Sequence, residues 1–401
     1  MSATDAAEAV APADRWPRVK QLRKEGQLAE AMAILDGLCR EQPREQRFAV
    51  CMAEMLLQTG RPADAAPHLQ RVRDLDPQDP VQLEHLMRLE ARQELLSLNA
   101  AGDYQGVIAA YHRRVRETPG VMRRIEEWTP IVNGAGEALY QANGEHAGPY
   151  AQAIADEMRE RGISVRSLLD LPGGAEILAD LQAVARATND WTVPGKPHFF
   201  KAIREEEAKA DHPVMRGGLH PGMLEIANGF YGLYSRLASA NIVLTRTDAS
   251  AERVRRGSEG WHRDPEDTPM FKAFIYLNDV EEIGHGPFQY IPDSRPSGKY
   301  EYLMPRFGRG VYDKEYKTKP DWAQADREVD PADIVTMTGK AGTMFFCDTS
   351  GFHRGGYCTV KDRYMTTYVY QRPGSQYPSY IQTTLDDPNA PIAVRMAVAP
   401  L

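Results

Sequence analysis

Cysteine is scarce in this chain. The four present, Cys39, Cys51, Cys347 and Cys358, are too few and too scattered for a disulfide framework or a Cys-x-x-Cys zinc site. Long apolar runs are missing as well, and no stretch approaches the roughly 18 consecutive apolar residues that a membrane-spanning helix needs. The opening Met1-Ser2-Ala3-Thr4-Asp5-Ala6-Ala7-Glu8 is acidic where a secretory leader would be basic and then apolar. There is no excess of positive charge: 48 Lys and Arg against 56 Asp and Glu leave a formal net charge of −8, which disfavours nonspecific attraction to nucleic acid or acidic membranes. These absences point to a reducing, cytoplasmic setting. The 401 residues, 42% hydrophobic and 26% charged, are enough for two cores.

What is present divides unevenly. Residues 1–14 are Ala-rich and acidic without periodicity and are expected to be a disordered lead-in. From residue 15 to 120 the chain is built almost wholly of helix formers, and it repeats. Gly26, Ala31 and Pro43 are echoed by Gly60, Ala65 and Pro77 at an offset of about 34 residues, and Gly102, Val107 and Pro119 keep the same internal spacing after a longer step. Glycine at a turn, a small residue where helices approach and proline after the second helix resemble degenerate tetratricopeptide repeats, with the helix between Val81 and Ala101 lengthened. Such repeats build surfaces that bind a protein partner or a second copy of the chain. His68 and His112 lie on these helices without a second ligand four residues on, and read as surface or packing residues.

Residues 121–150 read as a connecting segment, with Asn133-Gly134, Asn143-Gly144 and Gly148-Pro149 as turns around one short helix. From residue 151 to 401 the pattern changes. Helices over 151–158 and 176–187 flank a strand at 162–166, and a helix over Leu224 to Leu237 precedes a series of short apolar-alternating stretches. These are Ile242 to Thr247, Trp261 to Asp264, Phe271 to Leu277, Phe288 to Ile291, Ile334 to Met337, Thr343 to Cys347 and Tyr364 to Gln371. Short strands broken by Gly and Pro predict a jelly roll (a double-stranded β-helix, cupin-like), so the chain is α+β, with an all-α repeat domain followed by a jelly-roll domain. The insert from Ser294 to Asp330 has the length of a lid or binding loop.

In an extended strand side chains alternate, so His262 and Asp264 share a face while Arg263 turns away. With a second imidazole they would form the two-histidine, one-carboxylate set that holds ferrous iron and leaves positions open for a bidentate ligand and O2. His353, at the end of the apolar run Gly342 to Asp348 and before the next strand, is the best candidate. Arg363 opens that next strand, and its planar fork suits the carboxylate of an oxo-acid cosubstrate. The bland reading is a set of surface strands with unrelated polar residues.

Trp261-His262-Arg263-Asp264, Leu277-Asn278-Asp279, Gly286-Pro287-Phe288 and Pro292-Asp293-Ser294 occur here in that order. In this order they resemble the phytanoyl-CoA dioxygenase family of iron(II)- and 2-oxoglutarate-dependent oxygenases, from about Ala151 to Arg372. The resemblance implies His262, Asp264 and His353 as iron ligands and Arg363 as partner of the distal carboxylate of 2-oxoglutarate. It also implies a cosubstrate contact from Asn241, which a strand asparagine satisfying backbone groups would explain equally well. The outcome it implies is hydroxylation with release of succinate and CO2, since halogenating relatives give up the carboxylate ligand and Asp264 is present. The substrate it allows is a small molecule, a peptide or a carrier-bound group. One departure is Asp293-Ser294-Arg295, where the family usually has Gly-Ser-His, so no role of that histidine carries over. Two other readings stay open, a non-catalytic interaction protein with a vestigial jelly roll and a cupin-type metalloenzyme without 2-oxoglutarate.

Overall fold

The computed structural model describes residues 14–117, 127–193, 196–202, 209–248, 257–264, 266–303, 322–375, 385, 387 and 389–398. Nearly all of the expected lead-in, Pro119, the start of the connecting segment and the middle of the 294–330 insert lie outside the described residues. The chain divides into two compact units between Ala135 and Gly136.

The first unit is a run of helical hairpins: α1 (Arg15–Lys24) with α2 (Leu28–Glu41), α3 (Gln46–Gln58) with α4 (Pro62–Asp74), and α5 (Pro80–Ala100) with α6 (Tyr104–Glu117). Gly26, Gly60 and Gly102 sit at the hairpin turns with φ of +76°, +70° and +73°, a left-handed conformation that glycine enters without steric cost. Ala31 and Ala65 are fully buried in a core with Leu22, Leu35, Phe48, Met55 and Leu69, so small residues do mark the close approaches. The expected lengthening of the fifth helix is there, at 21 residues. Helix α7 (Thr129–Ala142) runs through Asn133-Gly134, which the sequence marked as a turn. An Asn-Gly pair tolerates helix when its neighbours pack, and Val132 and Ala135 are fully buried here.

The second unit holds two facing sheets. Strands β1 (Ile163–Ser167), β4 (Arg236–Thr245), β5 (Phe271–Tyr276), β8 (Thr343–Asp348) and β10 (Arg363–Gln371) form the larger, in the order β1-β8-β5-β10-β4. Strands β6 (Gln289–Tyr290), β7 (Val335–Thr336) and β9 (His353–Arg354) form the smaller, in the order β7-β6-β9, and a single bridge from His262 to His353 adds to its β9 edge. A further hairpin, β2 (Thr192–Val193) with β3 (Lys196–Phe200), is followed directly by a bridge from Lys201 to Val243 of β4. From β4 onward, with the His262 bridge counted in the smaller sheet, the chain passes back and forth between the two sheets, β6 and β7 being the one consecutive pair in the smaller. Every pairing is antiparallel, which is the winding of a jelly roll. The expected strand Trp261 to Asp264 is reduced to that one bridge. The helix expected over Leu224 to Leu237 ends at Tyr231, because Gly232 takes φ +70° and closes it, and Arg236 already opens β4. Among the described residues no helix is long and apolar enough to cross a membrane.

Strand alternation sorts the large sheet into two faces. One carries Ala240, Ile242, Leu244, Phe271, Ala273, Ile275, Met344, Phe346, Tyr368 and Tyr370 into a core with the helices, among them α8 (Pro149–Arg161), α9 (Gly174–Ala187) and α11 (Pro221–Tyr231). The other carries Phe274, Tyr276, Phe345, Cys347 and Met365 against Phe288, Tyr290 and Met337 of the smaller layer. Phe274 stacks on Phe345 at 5.1 Å and lies 4.8 Å from Phe288. The described ends of the insert bring Tyr300, Leu303, Ala325 and Val329 onto Trp261, Ile291 and Phe352. Those ends therefore cover the outer face of the small sheet, a structural task beside the binding-loop role expected of them.

Arg295, the departure noted in the sequence, has a structural task too. Its guanidinium donates to the carbonyls of Arg159 at 3.0 Å and Glu160 at 2.6 Å, the last turn of α8, where orphan carbonyls and the helix dipole both favour a cation. Arg295→Ala is expected to lower stability by about 1 kcal/mol, read as an earlier midpoint in urea unfolding with divalent-ion binding unchanged. An unchanged midpoint would remove the capping role.

Candidate metal centre

His262 and His353 face each other across the bridge, each backbone N–H donating to the other's carbonyl at 3.0 and 2.9 Å. Register then sets the rings side by side, with centroids 4.2 Å apart. The Nδ1 of His262 lies 2.9 Å from the carbonyl of Gly260, and that of His353 lies 3.0 Å from the carbonyl of Gly351. A carbonyl only accepts, so each Nδ1 carries a proton and each Nε2 is the ring atom left to face a metal. Burial, helped by the neighbouring His353, pushes the pKa of His262 down to about 3, so this imidazole is a neutral donor at ordinary pH.

Asp264, two residues on, completes a cluster whose ligand atoms all lie within 4.8 Å of one another. The Nε2 of His353 is 3.4 Å from Asp264 Oδ2. Two imidazole Nε2 atoms and one carboxylate held beside the bridge form a donor set that fits a divalent transition-metal ion.

Several contacts fix this geometry from behind. The Asp264 N–H donates to the carbonyl of Thr349 at 2.9 Å, and Asp348 Oδ1 accepts from the N–H of Met270 and from the N–H and hydroxyl of Ser350. Ser294, the serine of the Pro-x-Ser turn, accepts from the Phe352 N–H and donates to the Ile291 carbonyl, both at 2.6 Å. Trp261 and Arg354 are the sequence neighbours of the two histidines, and both reach Asp326 of helix α12 (Trp322–Glu328), at 3.1 and 3.0 Å. The Arg354 guanidinium also lies 4.2 Å over the Trp261 ring.

Arg363 is 4% exposed at the start of β10. It donates to Thr245 Oγ1 at 2.9 Å and to the carbonyl of Gly286. Gly286 takes φ +70°, and a Cβ there would come within 2.7 Å of Cys358 Sγ, so only glycine brings this carbonyl to the arginine without strain. Asn278 fastens the same strand end, donating to the Asp362 carbonyl at 2.8 Å and accepting from the Tyr364 N–H at 2.9 Å. Asn241 stands mid-strand opposite Thr367, not at the strand's start as the sequence suggested. Its ladder row lies on the same sheet face as Arg363, because Thr245, Val243 and Asn241 alternate in step with Arg363, Met365 and Thr367.

Two residues were missed from sequence. Lys272 of β5 places its Nζ 2.6 Å from Asp264 Oδ2. Burial alone would raise the Asp264 pKa, but Lys272 and His353 hold it well below the usual carboxylate range. Glu266 is raised instead, by burial and by the charge of Asp264. The signal for Lys272 was available, since it stands in the inward row of β5 with Phe274 and Tyr276, where alternation calls for an apolar residue. His285 is outside the cluster: its Nδ1 accepts from the Glu281 N–H at 3.1 Å and its Nε2 lies 3.3 Å from Glu282.

Residues 22–88 match the tetratricopeptide repeat family model. No curated protein matches the chain. Among solved structures, the chain is similar to the epimerase SnoN in complex with Fe3+, alpha ketoglutarate and nogalamycin RO, at 20% identity over 55% of this chain and 83% of that one, with a TM-score of 0.38. It is similar to HygX from Streptomyces hygroscopicus with nickel and 2-oxoglutarate bound, at 15% identity over 59% and 92%, with a TM-score of 0.39. EctD from S. alaskensis with 2-oxoglutarate and 5-hydroxyectoine gives 22% identity over 54% and 74%, with a TM-score of 0.37. These likenesses are low, and the chemistry proposed below stands on the donor set alone.

Proposed function

We propose that residues 151–401 form an iron(II)- and 2-oxoglutarate-dependent dioxygenase of the phytanoyl-CoA dioxygenase kind, hydroxylating an unactivated C–H bond with release of succinate and CO2. The observation that carries this reading is the pair of imidazoles with both Nδ1 protons committed to backbone carbonyls, which brings two Nε2 atoms beside one carboxylate. His262, Asp264 and His353 would hold ferrous iron, which when bound supplies O2 activation and the oxidative decarboxylation of the oxo acid.

The chain's own residues have separate duties. The backbone carbonyls of Gly260 and Gly351 fix ring orientation and turn each Nε2 toward the ion. Arg363 offers a buried fork for the distal carboxylate of 2-oxoglutarate, with Thr245 beside it as a further polar contact. Asn241, on the same inner face, adds a polar group to the cosubstrate side. Phe274, Phe288 and Phe345 pack the interior and exclude water from the reacting centre. The repeats at 15–120, joined through 121–150, would recruit a peptide, a carrier protein or a second copy of the chain.

Two sets of variants test the assignment. His262→Ala, Asp264→Ala and His353→Ala are each expected to abolish succinate formation from 2-oxoglutarate while thermal unfolding shows a folded protein. His285→Ala is expected to keep most of it. An inactive His285→Ala beside an active His353→Ala would overturn the distal ligand. Arg363→Lys keeps the charge and loses the fork, so 2-oxoglutarate binding is expected to weaken by about 1.5–3 kcal/mol with metal affinity unchanged. Isothermal titration with 2-oxoglutarate reads this, and an unaltered affinity would assign the carboxylate to another base.

A further inference from the structure

We propose that Lys272 is a resident counter-cation of the metal centre: it holds the Asp264 carboxylate in the metal-free protein, yields it to a divalent ion, and then binds an anionic ligand group, a carboxylate or phosphate, beside that ion. The inference rests on the metal reading of the triad and goes beyond it, since neither the sequence pattern nor the donor set calls for a lysine here.

Three observations carry it. The first is position. In the ladder Lys272 stands between Val369 of β10 and Cys347 of β8, on the face that carries Phe274 and Tyr276, so its side chain enters the interior where the triad lies. The second is convergence on one atom. The Lys272 ammonium at 2.6 Å and the His353 Nε2 at 3.4 Å both approach Asp264 Oδ2, so the ammonium occupies an oxygen that the ligand set needs. Lys272 is 15% exposed and Asp264 13%, leaving little water to screen the pair.

The third observation is charge and donor count. An ammonium has three donors, and the Lys272 ammonium makes its ion pair with Asp264. Glu266 is the other carboxylate whose charge acts on Lys272, and its Oε2 is buried without a hydrogen-bond partner. With a divalent ion on Asp264, two positive groups would share one carboxylate. The ion repels the ammonium, which has Glu266 within its field and donors to offer another anion. The ion and Lys272 together outweigh Asp264 and Glu266, so an anion completes the centre. Metal and anion then assist each other through Lys272.

Titrating full-length protein with Mn2+, alone and with 2-oxoglutarate added, tests this in the wild type, Lys272→Met and His353→Ala. Lys272→Met is expected to bind Mn2+ alone about tenfold more tightly than the wild type, and to gain less from 2-oxoglutarate. If the methionine variant does not fold, Lys272→Gln, which keeps a donor and loses the charge, is read in its place with the same expected direction. Wild-type binding that His353→Ala abolishes, together with equal or weaker binding in the lysine variant, overturns the counter-cation and keeps the metal centre. A wild type that binds no Mn2+ beside a lysine variant that does keeps the counter-cation and overturns the metal reading of the native chain. Binding by neither overturns both.

Discussion

A carboxylate withdrawn from water governs the C-terminal unit. Burying Asp264 costs free energy that its neighbours must offset, and the structure surrounds it with an ammonium and two imidazoles. His353 is buried and His262 and Lys272 are partly so, and each needs its own support. The imidazoles obtain it from the carbonyls of Gly260 and Gly351, and the strand bearing Lys272 obtains it from a full antiparallel ladder on either side. The cluster around Asp264 therefore depends on backbone geometry outside the three side chains themselves.

Much of this was legible because short-range rules act on short-range patterns. His262 and Asp264 share a face for the simple reason that strand alternation has period two, and Gly26, Gly60 and Gly102 mark turns because only glycine enters φ > 0 freely. Asn278 in Leu277-Asn278-Asp279 and Ser294 in the Pro-x-Ser turn were visible as motif letters, but their tasks were not. Fastening one strand end to another is a property of the pairing, and no local pattern encodes which ends meet.

The misread elements have the same cause. Asn133-Gly134 carries turn propensity worth on the order of 1 kcal/mol, and burial of Val132 and Ala135 outweighs it. Leu224 to Leu237 reads as one apolar helix because buried helix and buried strand look alike over short runs, and Gly232 was the one letter that separated them. The length of the insert gave no sign of a further task, which its described ends perform by placing Leu303, Ala325 and Val329 on the outer face of the small sheet.

That outer layer gives the centre a second constraint. Because side chains alternate, the residues flanking the two histidines must point away from the ion, and the structure uses both: Trp261 and Arg354 converge on Asp326 as their neighbours His262 and His353 converge on the ligand position. The same backbone bridge thus has an inner face set by charge and an outer face set by a cation stacked on an indole and a shared carboxylate. A shift in the spacing of the two strands would disturb both faces at once. The insert's helix is therefore tied through Asp326 to the outward neighbours of both histidines.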